Sequence, residues 1–293
     1  MKKPNFFIIG APKCGTTSWA SWLASHPQVF MSPMKEPQHF SADLRVLIPR
    51  RADYERLFRN ATDRHRAVGE ASATYLFSEA AVPHIERYVD HPKYIICLRN
   101  PVEMAYSLHE QMVVSGMEDV LEFERAWVLS EARFRGEQVS RWCDAPKILA
   151  YGRMCKLGEQ LLRLYRTVPK DRVHTILLDD VRRDARAEYL KVLAFLGLDD
   201  DGRCEFPVEN PAKTLRSFAL NRTVQALARF KYRLRIYHIG LGILDAIAKK
   251  NMKYRPRVPM RPDTRRELEE FFREDIKLLE ELLERRLGWI SGS

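Results

Sequence analysis

The chain has 293 residues, of which 45% are hydrophobic and 30% charged. This suits one large globular domain or two small ones, and the absence of repeats, low-complexity segments and Gly/Ser linkers excludes repeat proteins and makes one domain over residues 1–293 the simpler prediction. The net charge of +10 favours polyanions such as acidic glycan, anionic membrane or a multiply charged nucleotide, but the scattered basic residues argue against a nucleic-acid arm.

The first predicted elements are a strand, a glycine loop and a helix. Residues 6–9 are apolar and rich in strand formers, and Trp19, Trp22 and Leu23 recur at helical spacing. The loop between them, residues 10–15, directs backbone N–H groups towards one point at the positive end of the helix dipole. We therefore predict an anion site here, the alternative being a plain turn whose threonines cap the helix.

This loop departs from the Walker A loop of ATPases. Gly10 and Gly15 have the Walker spacing, but Thr16 stands where the motif requires lysine, and Lys13 lies inside the loop. We therefore expect a nucleotide without a β,γ-phosphate pair held by magnesium.

A proline-broken loop rich in ionisable groups follows the first helix. It reads MSPMKEPQHF and contains two groups able to accept a proton, Glu36 and His39. From the residues alone, a solvated loop with an incidental glutamate is the alternative.

A second buried strand, residues 93–98, is followed directly by Arg99, whereas a Walker B strand leads into aspartate. The Arg99 guanidinium can bind a phosphate through two hydrogen bonds, and Ser107, on a new helix after Pro101, can offer a hydroxyl to the same phosphate. The alternative is that Arg99 forms a salt bridge at the strand end.

These segments resemble the sulfotransferases that use 3′-phosphoadenosine-5′-phosphosulfate (PAPS). Residues 13–17 match the family's K-x-G-T-T loop, and residues 98–107 match its 3′-phosphate motif, L-R-N-P-x-x-x-A-Y-S. Residues 35–40 resemble the K-E-P-x-x-F segment of carbohydrate sulfotransferases, in which the glutamate is the catalytic base. Residues 69–75 resemble G-E-K-[ST]-P-x-Y, but Ala71 replaces the lysine, which weakens a heparan-type assignment.

The resemblance implies a role for each matched residue. Glu36 would be the base, with His39 as the other candidate, and Lys13 would stabilise the leaving phosphate. The implied 5′-phosphate site comprises Lys13, Cys14, Gly15, Thr16, Thr17 and Ser18. The implied 3′-phosphate site comprises Arg99 and Ser107. Lys213 and Arg216 loosely resemble a late basic loop that closes over the nucleotide, with a solvated loop as the alternative. No metal is required.

The implied fold is α/β: a single P-loop NTPase-like sulfotransferase domain with a central parallel sheet flanked by helices and the nucleotide at the carboxyl ends of the strands. Further predicted elements are helical segments in 118–140, a long amphipathic helix after residues 151–152 with apolar positions from 157 to 165, a strand over 173–178, a helix over 189–198 and a terminal helix over 263–287. Asp179 and Asp180 are the best Walker B candidates, although a structural role is favoured. Residues 230–250 suit a membrane surface, an acceptor-cleft cover or a core helix.

The location is predicted to be cytoplasmic. Five cysteines, an odd number without a C-x-x-C motif, favour a reducing compartment and no metal site. The apolar run near the N-terminus is too short for a signal sequence or a membrane span, although peripheral membrane contact stays open.

The favoured function is transfer of the sulfuryl group of PAPS to an acceptor hydroxyl or amine. The acceptor is expected to be a glycan, otherwise a lipid or a secondary metabolite. A P-loop kinase and a non-catalytic module that binds acidic glycan or membrane are the alternatives.

Overall fold

Five parallel strands form the centre of the fold. They are β1 (Phe6–Gly10), β2 (Val29–Met31), β3 (Ala67–Ala71), β4 (Lys93–Leu98) and β5 (Val173–Leu177). Their order across the sheet is β2-β3-β1-β4-β5, and each neighbouring pair is parallel. Every residue of β1 and β3 is buried, as expected for a parallel sheet covered by helices. This architecture comes from a computed structural model that describes residues 2–209, 213–215, 220–221, 223–224, 227, 250–254 and 259–290.

Helices connect and flank the strands. Their bounds are α1 (Thr16–Ala24), α2 (Arg51–Arg56), α3 (Ala81–Tyr88), α4 (Pro101–Val114), α5 (Phe123–Val128), α6 (Ser130–Phe134), α7 (Tyr151–Met154), α8 (Leu157–Tyr165), α9 (Leu178–Arg183), α10 (Ala185–Leu196) and α11 (Pro262–Leu283). Two short strands, β6 (Lys213–Leu215) and β7 (Met252–Tyr254), form a separate antiparallel pair. In the part of the chain that the structure describes, none of the helices combines the length and the apolar character that crossing a membrane requires.

The chain divides into two compact units. The first comprises residues 1–104, 154–209 and 266–293 and contains the five-stranded sheet. The second comprises residues 105–153 and 210–265. That the whole chain acts as one domain stays a prediction.

The predicted α/β class is confirmed, and the predicted strands appear as β1, β4 and β5. The terminal helix, α11, ends at Leu283 and not at residue 287, and residues 118–140 contain two short helices. The sequence did not indicate β3, because alanine, glycine and glutamate are poor strand formers. Gly69 of β3 packs against the Phe6 ring so closely that a Cβ would lie 2.3 Å from it, which explains the small residue.

A buried ion pair lies inside the second unit. The side chains of Arg133 and Glu118 are both fully buried. Arg133 donates to the carboxylate through Nη1 at 2.5 Å and Nη2 at 2.8 Å. The Tyr151 hydroxyl and the Val120 amide each donate to it at 2.8 Å. Because both carboxylate oxygens are satisfied, the charge is tolerated in the interior.

Arg133→Met should destabilise the protein by about 3–5 kcal/mol, because the Glu118 carboxylate would remain buried without its cation. Adding Glu118→Gln in that background should restore part of the free energy of unfolding, measured by urea denaturation. Arg135→Met, which breaks an exposed pair with Glu137, is the control and should cause no measurable change. Equal losses for Arg133→Met and Arg135→Met would contradict the prediction.

Candidate active site

The loop after β1 and the turn after β4 meet at the carboxyl edge of the sheet. The Ala11 amide donates to the Cys97 carbonyl at 2.8 Å. Arg99 Nη1 donates to the Lys13 carbonyl at 3.3 Å, and Arg99 Nη2 lies 3.7 Å from Glu103 Oε2. The two predicted phosphate motifs therefore lie together, and the alternative ion pair of Arg99 is also formed.

The phosphate loop, residues 10–15, has a conformation suited to an anion. Lys13 and Gly15 lie in the left-handed region, with φ of 64° and 95°. Gly15 is the N-cap of α1, and in the described chain no side chain caps this helix end. The alternative in which the threonines cap α1 is therefore wrong, and the first amides of α1 are left available to a ligand.

Two side chains of the predicted 5′-phosphate site make other contacts. The Cys14 sulfur is buried, 3.4 Å from the Pro12 carbonyl and 3.8 Å from the Met104 sulfur. Burial raises the pKa of the Cys14 thiol to about 12, so this thiol is protonated at neutral pH. The Ser18 hydroxyl accepts a hydrogen bond from the Glu209 amide at 3.1 Å. The Cys14 amide also has a partner, since it donates to the Ala11 carbonyl at 3.3 Å. For Ser18 the backbone amide is the group suited to an anion.

The Glu36 loop, residues 35–40, lies against the segment that follows β3. The Glu36 amide donates to the Ala71 carbonyl at 2.9 Å, and Glu36 Oε2 accepts from the Ala73 amide at 2.9 Å. Lys35 forms an ion pair with Glu36 Oε1. The Glu36 side chain is 32% exposed, which leaves its carboxylate accessible to a substrate.

Residues 72–76 connect this loop to the phosphate loop. The Ser72 amide donates to the Ile8 carbonyl at 3.0 Å, and the Leu76 amide donates to the Ile9 carbonyl at 2.8 Å. A Cβ on Gly10 would lie 2.7 Å from the Leu76 Cβ, so glycine is needed for this close approach. One short segment therefore contacts both the strand that carries the phosphate loop and the loop that carries Glu36.

His39 has a packed environment. Its Nδ1 lies 2.6 Å from the Ile48 carbonyl oxygen, and its ring stacks on Tyr54 with centroids 4.4 Å apart. Burial lowers the pKa of His39 and favours the neutral ring. The catalytic role of His39 stays a prediction, and these contacts favour a structural one.

Glu70 is a buried carboxyl that the sequence marked only as a motif match. It accepts hydrogen bonds from the hydroxyls of Ser72, Tyr54 and Tyr75. Burial raises the pKa of Glu70 from 4.5 to about 7, against the opposing effect of these hydrogen bonds. Because the folded pKa is the higher one, the stability from Glu70 is present below about pH 4.5 and is lost as the pH rises through about 7. The sequence signal that could have indicated a buried carboxyl is a glutamate within an otherwise uncharged strand.

Asp179 and Asp180 are occupied by other groups. Arg285 donates to both oxygens of Asp180, while Asp179 pairs with Arg182 and accepts from the Trp289 indole at 2.8 Å. The Trp289 carbonyl accepts from the Asn100 side chain at 3.1 Å. Among the residues that the structure describes, no group of three His, Cys, Asp or Glu side chains is arranged to hold a metal.

The remaining predicted residues lie elsewhere in the chain. Ser107 is buried on α4 and belongs to the second unit. Lys213 is the first residue of β6, also in that unit. Arg216 and residues 230–249 lie outside the described residues. Their roles stay predictions.

Comparison with known proteins gives one family. A family model described as a sulfotransferase domain matches residues 3–225. A bifunctional heparan sulfate N-deacetylase/N-sulfotransferase 1 of Caenorhabditis briggsae is 33% identical over 114 residues, which cover 37% of this chain and 13% of that protein. A membrane-associated sulfotransferase kil1 of Dictyostelium discoideum is 30% identical over 104 residues, which cover 36% of this chain and 22% of that protein. The matches therefore span less than a quarter of either relative's length.

Solved structures of sulfotransferases share the fold of this chain. A crystal structure of a sulfotransferase from Alicyclobacillus acidocaldarius aligns over 99% of both chains, with a TM-score of 0.74 and 26% identity. A mouse sulfotransferase in complex with PAP aligns over 97% of this chain and 88% of its own, with a TM-score of 0.52 and 13% identity. The latter likeness concerns the fold alone.

The buried thiols should resist alkylation. Burial raises the pKa of Cys14, Cys97 and Cys155, whereas Cys204 is exposed. With iodoacetamide at about pH 8, native protein should be labelled at Cys204, and the three buried thiols only after unfolding, as read by peptide mass spectrometry. Cys204→Ser is the control and should lose the early label. Early labelling of Cys14 would mean that the phosphate loop carries a reactive thiolate.

Proposed function

Because this chain belongs to the sulfotransferase family, we propose that it transfers the sulfuryl group of PAPS to an acceptor hydroxyl or amine. The observation that carries the proposal is the contact between Arg99, at the end of β4, and the Lys13 carbonyl in the phosphate loop. A strand that ends in arginine beside a loop without the Walker lysine suits a nucleotide with separate 5′- and 3′-phosphates.

The donor is proposed to lie along the carboxyl edge of the sheet. The uncapped first turn of α1 is suited to the 5′-phosphate, with the amides of residues 15–18 and the hydroxyls of residues 16–18 around it. Arg99 is suited to the 3′-phosphate, because its side chain is only 13% exposed and charge-assisted bonds strengthen in such surroundings. Ser107, Lys213 and Arg216 remain proposed partners of the nucleotide.

The proposed chemistry is in-line sulfuryl transfer. PAPS supplies the sulfuryl group, and the products are the sulfated acceptor, adenosine 3′,5′-bisphosphate (PAP) and a proton. Glu36 takes the proton from the attacking hydroxyl or amine, and its accessible carboxylate next to Ala73 supports this role. Lys13 stabilises the negative charge that develops on the leaving phosphate. No metal has a role in this scheme.

The acceptor is proposed to be a glycan, otherwise a lipid or a secondary metabolite. The K-E-P segment and the relative named for heparan sulfate support a glycan. Ala71 in place of lysine speaks against a heparan-type acceptor site. No nucleic-acid partner is proposed, peripheral membrane contact stays open, and free cysteines support a reducing, cytoplasmic location.

Two other functions make different demands on the site. A P-loop kinase would use an acidic residue after a strand to hold magnesium, but Asp180 is bound by Arg285 on both oxygens. A non-catalytic module for acidic glycan or membrane is favoured only by the net charge.

Titration calorimetry followed by a transfer assay separates the three functions. PAP should bind without magnesium, and ATP with magnesium should bind much more weakly. With PAPS and a panel of glycan, lipid and small phenolic acceptors, mass spectrometry should detect a sulfated product, and turnover should survive EDTA. Turnover that EDTA abolishes and magnesium restores would favour the kinase. Binding of acidic glycan or anionic vesicles without PAP binding would favour the module.

Arg99→Ala should weaken PAP binding far more than adenosine 5′-phosphate binding, because a charge-assisted bond to the 3′-phosphate is worth about 1.5–3 kcal/mol. Calorimetry with both nucleotides measures the difference. Arg172→Ala is a matched control, since Arg172 pairs with Glu86 just before β5 begins, at the opposite edge of the sheet. Equal losses for both nucleotides in Arg99→Ala would show that Arg99 does not read the 3′-phosphate.

Glu36→Gln should lower kcat by about 10²–10⁴ while PAP affinity stays nearly unchanged, because a general base acts only in the chemical step. His39→Ala should chiefly lower the free energy of unfolding, since it removes the stack on Tyr54, an interaction worth about 0.5–1.5 kcal/mol. Steady-state kinetics and thermal unfolding of both variants measure these effects. An inactive His39→Ala that still folds, beside an active Glu36→Gln, would reverse the roles.

A further inference from the structure

Glu70 directs the hydroxyl groups around it. Its Oε1 accepts from the hydroxyls of Tyr54 and Tyr75 at 3.0 Å each, and its Oε2 accepts from the Ser72 hydroxyl at 2.8 Å. Glu70 is fully buried, so these groups replace water around the carboxyl. An ionised carboxylate can only accept hydrogen bonds, so each hydroxyl hydrogen is directed towards it.

Two of these hydroxyls also hold the backbone of the Glu36 loop. The Ser72 oxygen accepts from the Gln38 amide at 3.2 Å. The Tyr75 oxygen accepts from the His39 amide at 2.9 Å and the Phe40 amide at 3.3 Å. Three successive amides of the loop therefore donate to hydroxyl oxygens, and the hydrogens of these hydroxyls are in turn donated to Glu70.

The Tyr75 hydroxyl uses its hydrogen and both of its lone pairs in these contacts. A phenol has one hydrogen and two lone pairs, and here the hydrogen goes to Glu70 while both lone pairs accept loop amides. A hydrogen-bond donor in place of the Glu70 oxygen could not accept the Tyr75 hydrogen. The hydroxyl would rotate towards another acceptor, or the new donor would compete with a loop amide for a lone pair of the Tyr75 oxygen.

The loop has a backbone that requires such support. Glu36 and Gln38 have φ of 60° and 47°, in the left-handed region that non-glycine residues rarely adopt. Conformations of this kind persist where surrounding contacts over-determine them. The amides of residues 38–40 supply these contacts on the side of the loop that follows Glu36.

We propose that Glu70 is a positioning residue for Glu36, acting through the Ser72 and Tyr75 hydroxyls that hold the amides of residues 38–40. The proposal rests on the proposed function in one respect, namely that Glu36 is the base whose position matters. Glu70 itself contacts neither donor nor acceptor in this role.

Amide hydrogen exchange tests the positioning without any substrate. At about pH 8, Glu70→Gln should speed exchange at residues 38–40 by about tenfold, because an amide donor then faces the hydroxyl hydrogens. Tyr75→Phe should do so at residues 39 and 40 only, and Ser72→Ala at residue 38 only. Tyr54→Phe is the matched control, since its hydroxyl contacts Glu70 but no loop amide; it should leave all three amides protected. The β4 amides should be unchanged in every variant.

Kinetics then test the consequence for Glu36. Glu70→Gln should lower kcat about 10- to 100-fold, as expected for a misplaced base, while the KM for PAPS and the affinity for PAP stay unchanged. A folded Glu70→Gln with protected loop amides would overturn the proposal, as would faster exchange with unchanged kcat. If Glu70→Gln does not fold, protected amides in both Tyr75→Phe and Ser72→Ala would overturn it. A wild-type chain without sulfuryl transfer would refute the proposed function, while the exchange results would still decide whether Glu70 holds the loop.

Discussion

The crossing of residues 72–76 over the end of β1 is the constraint on which the site depends. The Leu76 amide can reach the Ile9 carbonyl only because Gly10 has no side chain. The same segment binds Glu36 through the Ala73 amide. The Glu36 amide also binds the Ala71 carbonyl at the end of β3, the strand that pairs with β1. The fold therefore assembles the site through backbone hydrogen bonds and uses side chains mainly for its chemistry.

Charge in the site is distributed as adjacent opposite pairs. Lys35 pairs with Glu36, and Arg99 lies 3.7 Å from Glu103. The Lys35 and Glu36 side chains are 30% and 32% exposed, and a pair of this kind contributes little to stability because water and salt screen it. Arg99 is more buried, but at 3.7 Å its contact with Glu103 is long, so Glu103 is a loose partner that the proposed phosphate can replace. Lys35 and Arg99 are therefore suited to exchanging a carboxylate for a substrate group, rather than to forming permanent structural salt bridges.

The sequence predicted what depends on neighbouring residues. The phosphate loop and the strand that ends at Arg99 have short local patterns, and the structure brings the two together. The Glu70 network could not be predicted, because it joins hydroxyls and amides more than thirty positions apart. His39 illustrates the same limit. Its residue type suggested a base, but stacking on Tyr54 is a tertiary contact that no local pattern encodes.

The segment after α11 is tied to the edge of the sheet where the donor is proposed to bind. The Trp289 carbonyl accepts from Asn100, the neighbour of Arg99, and the Trp289 indole donates to Asp179. Any affinity tag or fluorophore attached near residue 290 would therefore be anchored beside the turn that is proposed to bind the nucleotide. A probe at this point could serve as a local optical reporter of nucleotide occupancy, whereas a bulky fusion there would disturb the turn.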